Sequence, residues 1–220
     1  MKSEVTQVQK MLNAWAIVLI IWSLYRVYFR TDLPIWFDEF IAKPLIFLVP
    51  LHYYITKVEK KNFLESLDLH TKNWRSGIIV GTIAGLIFLA VGFVVMMLRQ
   101  NSSPIGDVLS SPSSVLYFIL IAFATSISEE ILSRGFVLKR LYEDSKNMFS
   151  AVFYSSVLFF FLHIPMLATN PAFHGGVLLQ VMVTDLLLSF AVSFLYLQKR
   201  SLFVPIMIHA FYAISIYFFL

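Results

Sequence analysis

Glu129 and Glu130 stand side by side inside a membrane-length apolar stretch, and Arg134 follows in the run Glu-Glu-Ile-Leu-Ser-Arg. A charged side chain in hydrocarbon costs about 2.5–3.5 kcal/mol on insertion scales. Three charges within six residues must therefore be paired with one another or put to use. A helix that carries them has to turn that face toward other protein. Two histidines, His163 and His209, lie in later apolar segments. A carboxylate and imidazoles held out of water form the chemistry of water activation.

Composition agrees with a membrane setting. Of 220 residues, 59% are hydrophobic and the mean hydropathy is +0.78, where a soluble domain holds about 45–50% apolar residues. Alternating strand patterns are absent, so the expected fold is all-α, a polytopic transmembrane helical bundle rather than a barrel. One transmembrane domain over 1–220 is expected. The chain has no cysteine, which excludes disulfides, iron–sulfur clusters and thiol catalysis. The net charge of +4 comes from basic residues at helix ends. It is a topology signal and implies no nucleic-acid partner. Trp22, Tyr25, Arg26 and Tyr28 stand where a small-residue cleavage site would be needed, so the first helix is expected to be retained.

Seven spans are expected, over about 11–29, 40–56, 77–98, 114–141, 148–163, 177–197 and 202–219. The second is the weakest, because Lys43, Pro44 and Pro50 interrupt it. Polar loops are expected over 99–112 and 164–174, the latter beginning at Ile164-Pro165. Residues 62–69 mix apolar and charged side chains, as a short interfacial helix or a connecting loop would.

Lysine and arginine positions give the expected orientation. With the amino terminus in the cytoplasm, the inside segments hold Lys2, Lys10, Lys57, Lys60, Lys61, Lys72, Arg75, Lys139, Arg140, Lys146, Lys199 and Arg200. The outside segments hold Arg26, Arg30 and Arg99. Twelve against three predicts N-in, C-out.

Residues four apart share a helix face, whereas neighbours point about 100° apart. Glu130 and Arg134 are thus a ready ion pair, and Glu129 is left free for general-base work. At about 1.5 Å per residue, Glu129 and His209 lie about 13 and 10 Å deep and His163 about 20 Å. One polar cluster can accommodate these depths if a helix is tilted or an edge misplaced.

Glu129-Glu130-x-x-x-Arg134-Gly135, then Phe159-x-x-x-His163, then Pro205 ahead of His209-Ala210, together resemble the CAAX prenyl endopeptidase and bacteriocin-processing (CPBP, or Abi) intramembrane protease family. The resemblance covers 114–220, a catalytic core in the carboxy-terminal half. It implies an intramembrane endopeptidase, with Glu129 activating water beside His163 and His209 stabilising the oxyanion. Glu130 and Arg134 brace the helix, and Phe159 occupies a motif position. The implied partners are the lipid bilayer and a membrane-embedded peptide or protein substrate, lipidated or not, in a prokaryotic cell membrane. A metal-free glutamate protease is the favoured version. Zinc is the alternative, with Glu129, His163 and His209 as ligands. The chain departs from the family at Ala213, where an asparagine or aspartate four residues after the histidine is usual; Tyr212 is a candidate substitute donor.

Asp185 lies in mid-span of the sixth segment, a functional position by default. Its expected partner is Arg134 or a histidine. His52, His70 and His174 need no role. Two other classes compete with the peptidase. One is a non-catalytic relative that binds, as an immunity factor does. The other is a proton-coupled transporter using Glu129, Asp185 and the histidines as a relay, and no inverted repeat supports it.

Overall fold

A computed structural model describes residues 6–30, 33–69, 74–98, 112–169 and 175–219. The loop expected over 99–112 falls almost wholly outside the described residues, as do His70, His174, Lys2, Lys72 and Arg99. Every regular element among the described residues is helical. In chain order they are α1 (Gln7–Phe29), α2 (35–58), α3 (Phe63–Ser66), α4 (Trp74–Leu98), α5 (Ser113–Ser145), α6 (Met148–Thr169), α7 (Gly175–Lys199) and α8 (Phe203–Phe219).

Five of these, α1, α4, α5, α6 and α7, are long and apolar enough to cross a membrane, the mark of a multi-pass integral membrane protein. The apolar α8 is shorter, and α2 carries Asp38, Glu39 and Lys43. Many large apolar side chains are exposed. Ile79, Ile83, Ile87 and Val94 line one face of α4, as a lipid-facing helix requires.

The opposite face of α4 explains how α8 is placed. Gly77, Gly81 and Gly85 recur every fourth residue and are buried against α8 and the turn before it. Without a hydrophobic drive between helices in lipid, small residues let two backbones approach and gain dispersion contacts. A methyl group on Gly81 would stand 2.8 Å from Met207 Cβ and 2.9 Å from the Val204 carbonyl oxygen. Gly81→Val is therefore expected to lower stability by about 1–3 kcal/mol through overpacking, read as earlier thermal unfolding in detergent. Unchanged unfolding would refute the close α4–α8 contact.

The fifth expected span does not end at His163. α6 runs through Pro165 to Thr169, since a proline removes one helical hydrogen bond, that to the carbonyl four residues earlier, and transmembrane helices tolerate it. Thr169 Oγ1 donates to the Pro165 carbonyl at 2.8 Å. α5 likewise continues past 141 to Ser145. These two corrections remove the mismatch in depth. Glu129 precedes the tight turn at Lys146-Asn147 by about as many residues as His163 follows it, so on antiparallel neighbours they lie level. Ser201 and Leu202, just ahead of α8, are already buried within the protein.

The segment over 62–69 holds a single helical turn, Phe63–Ser66, capped by Asn62 Oδ1 accepting from Leu64 N at 3.0 Å. Leu67 is fully buried beside it. Arg140 grips Glu59 through Nε at 2.6 Å and Nη2 at 2.5 Å, and Lys139 and Tyr196 hold Asp68 at 2.5 and 2.7 Å. Residues 59–69 are thereby fastened across one end of the bundle.

Candidate active site

The Glu-Glu pair closes the first α-helical part of α5, and the next eight residues, Ile131–Leu138, form a π-helical stretch. All eight are buried. Wider turns of this kind are frequent at functional sites. Here the two acids diverge into two bonded groups.

Glu129 is 6% exposed. Its Oε1 accepts from Lys43 Nζ at 2.9 Å. Its Oε2 takes no hydrogen bond from the protein and lies 3.3 Å from His163 Nε2 and 3.7 Å from His209 Nε2. The three residues singled out from sequence, on α5, α6 and α8, meet at one carboxylate oxygen. Both rings are fixed from behind. His163 Nδ1 lies 3.1 Å from the Phe159 carbonyl oxygen, and His209 Nδ1 lies 2.8 Å from Glu130 Oε1. A carbonyl and a carboxylate only accept, so each Nδ1 is the donor and each Nε2 is the atom turned to the site.

Glu130 and Arg134 are joined as the spacing predicts, Nη1 to Oε1 at 2.9 Å. Arg134 is fully buried. It also donates Nη2 to Ser189 Oγ at 2.8 Å and lies over the Phe159 ring at 4.2 Å. Phe159 in turn meets His163 and His209 at ring distances of 4.5 and 5.9 Å. Glu130 takes the Arg134 and His209 contacts on one oxygen, linking α5 to α8, and Arg134 extends the link to α7.

Two expectations change. Glu129 is not an unpaired acid: Lys43 answers it, from a segment whose charge reads as an interruption. Asp185 takes neither Arg134 nor a histidine as its bonded partner. Its Oδ1 accepts from Tyr212 Oη at 2.7 Å, and Thr184 Oγ1 lies 2.8 Å from the same hydroxyl. Arg134 reaches Ser189 instead, one helical turn further along α7. With its proton given to Asp185, Tyr212 is not a free donor in this arrangement.

Lys43 is the residue that the sequence pattern hides. It is 1% exposed and binds both Glu129 and Glu39, while Thr125 Oγ1 donates to Glu39 Oε2 at 2.7 Å. The neighbouring Asp38 is held by Tyr25, Arg26 and Arg30. One signal is present in the chain: Glu39 and Lys43 have the same four-residue spacing as Glu130 and Arg134. His52 packs against Phe63, away from the site.

A cavity of about 200 Å³ reaches the carboxylate. Glu129, His163, His209, Lys43, Asp185, Tyr212 and Ala213 all line it. Among the described residues no group of three histidine or acidic side chains is arranged to hold a metal ion. The Lys43 ammonium takes Oε1 of the Glu129 carboxylate and leaves Oε2 as the oxygen nearest both imidazoles.

Comparison with known proteins turns on the segment that carries the acids and both histidines. Residues 111–215 match the family model described as Type II CAAX prenyl endopeptidase Rce1-like. Over those residues the chain is similar to the CPBP family. No curated protein and no solved structure gives a match. The CAAX prenyl endopeptidase match begins ahead of α5 and ends within α8. It takes in Glu129, Glu130, Arg134, Phe159, His163, Asp185 and His209, and leaves out Lys43.

Proposed function

We propose that this chain is an intramembrane endopeptidase that hydrolyses a peptide bond of a membrane-associated peptide or protein. The observation that carries the reading is the single oxygen, Glu129 Oε2, free of protein hydrogen bonds and faced by Nε2 of His163 and His209. A water bound there meets a base and an orienting imidazole in a cavity walled partly by Met166, Val181 and Ile216.

The chemistry follows from the atoms. Glu129 Oε2 removes a proton as the water oxygen attacks the carbonyl carbon, while His163 Nε2 holds the water in line. His209, carrying a second proton on Nε2, donates a hydrogen bond to the oxyanion, the type of contact that usually contributes most to acyl transfer. The proton on Glu129 then passes to the leaving nitrogen. Lys43, Glu130 and Arg134 touch none of the reacting atoms and position those that do.

The test is cleavage of a quenched membrane peptide, lipidated and unlipidated, by the purified protein in detergent. Absence of cleavage of either would overturn the reading in favour of a non-catalytic relative, the alternative that Ala213 supports. Ala213 lines the cavity one turn after His209, where a side-chain amide would supply a second oxyanion donor. Ala213→Asn is expected to raise kcat, by up to the about 10²–10³-fold that one such donor contributes. Equal or lower turnover would count against a missing donor.

The bundle is further proposed to be one transmembrane domain with seven crossings in a prokaryotic cell membrane, α2 and α8 adding to the five long helices. The charges at the start of α2 find partners inside the protein, which offsets the cost of carrying them across. The start of α1 and the end of α2 border one shared surface pocket through Gln7, Val58 and Glu59, as antiparallel neighbours would. The lysine and arginine asymmetry then sets that end toward the cytoplasm.

A further inference from the structure

The cavity and the basic residues occupy opposite ends of the bundle. The cavity lining comes from the end of α1 (Arg26, Arg30), the start of α2 (Ile35), the late part of α6 (Met166), the early part of α7 (Val181) and the late part of α8 (Tyr217). All of these fall at one end, because the helices alternate in direction. Arg26 Nη2 lies 3.4 Å from Thr169 Oγ1, joining the ends of α1 and α6. Lys57, Lys139, Arg140, Lys146, Lys199 and Arg200 lie at the other end, beside the turns 146–147 and 200–202. That end is covered by residues 59–69, with Leu67 buried beneath and the Glu59–Arg140 and Asp68–Lys139 pairs fastening it. Between this cover and Glu129 lie the buried Leu132, Arg134 and Phe136.

Basic residues near helix ends mark the cytoplasmic side. The cavity end carries two arginines against six basic residues at the other, and pairing does not alter the count, since Arg26 and Arg30 engage Asp38 just as Lys139 and Arg140 engage Asp68 and Glu59. We infer that the catalytic cavity opens on the face away from the cytoplasm, and that the enzyme meets its substrate there, as a membrane-anchored peptide whose scissile bond enters from the outer side. What is cut rests on the peptidase reading; the side from which it is cut rests on charge and cavity placement.

A chain without native cysteine makes the test direct. Ile35→Cys lies on the exposed edge of the cavity lining, Leu33→Cys, the second probe, lies two residues before it and is also exposed, and Lys146→Cys lies at the exposed basic end. Intact cells are treated with a membrane-impermeant maleimide and compared with permeabilised cells. The expected result is labelling of the mouth probes about tenfold or more above Lys146→Cys in intact cells, with Lys146→Cys labelling only after permeabilisation. Any other pattern overturns the inference: the reverse order, both ends labelled, or neither. A parallel arm supplies quenched peptide outside right-side-out and inside-out vesicles. Cleavage in detergent and by inside-out vesicles alone removes the sidedness and leaves the peptidase standing. No cleavage in any preparation removes the peptidase, while the labelling still decides where the cavity opens.

Discussion

Glu129→Gln is expected to leave a folded protein that hydrolyses peptide about 10²–10⁴-fold more slowly, the contribution of a positioned general base. Glutamine keeps the shape of the side chain. Its carbonyl oxygen can still accept from Lys43, which also retains Glu39. Its amide then faces the two Nε2 atoms but cannot take a proton from water. The loss should fall on kcat with little change in KM, because the group acts in the transition state and not in binding. Thermal unfolding in detergent, run beside the quenched-peptide assay, separates this from misfolding. Turnover within about tenfold of the parent protein, well short of a general base's contribution, would remove Glu129 from that role. Glu130→Gln makes the internal contrast. It weakens the contacts to Arg134 and His209 on Oε1, so its effect should appear in stability as well as in rate.

The environment of one of those two glutamates is readable from spacing, and that of the other is hidden. Glu130 and Arg134 are four apart on one helix, and local geometry alone predicts their pair. Glu129 depends on Lys43, His163 and His209, each on a different helix, and no local rule links them. The histidines are visible because imidazoles are conspicuous in apolar segments. Lys43 is not, because Pro44 and Pro50 make its segment read as broken. In the fold, the helix over 35–58 runs through both prolines, passing from a π-helical to an α-helical stretch at Lys43. Pro165 misleads in the same way, since it reads as a stop soon after His163, whereas the helix continues to Thr169. Gly77, Gly81 and Gly85 are legible in principle. Their spacing announces a close helix contact, but only the packing tells which helix, α8, takes it.

Lys43→Met should be the most damaging single change to stability in the site. Lys43 is the only lysine or arginine bonded to either Glu39 or Glu129 among the described residues, so removing it leaves two carboxylates facing each other in a buried space. Breaking one side of a buried ion pair costs about 3–5 kcal/mol, enough to unfold a marginal protein in detergent. Stability alone cannot show what the ammonium does for catalysis, and the double variant Lys43→Met/Glu39→Gln separates the two effects. It removes one cation and one anion, so the net charge of the cluster is unchanged, and much of the lost stability should return. Activity should not return. Without the contact to Oε1, the Glu129 carboxylate can rotate, and Oε2 is no longer the oxygen fixed between the two imidazoles; a small misplacement of a catalytic group costs up to about 10²-fold in rate. A double variant with parental kcat would show that Lys43 merely balances charge. A stable double variant with kcat still depressed would place a residue outside the matched segment among those that position the base, and would explain why the first two helices are packed against the catalytic half.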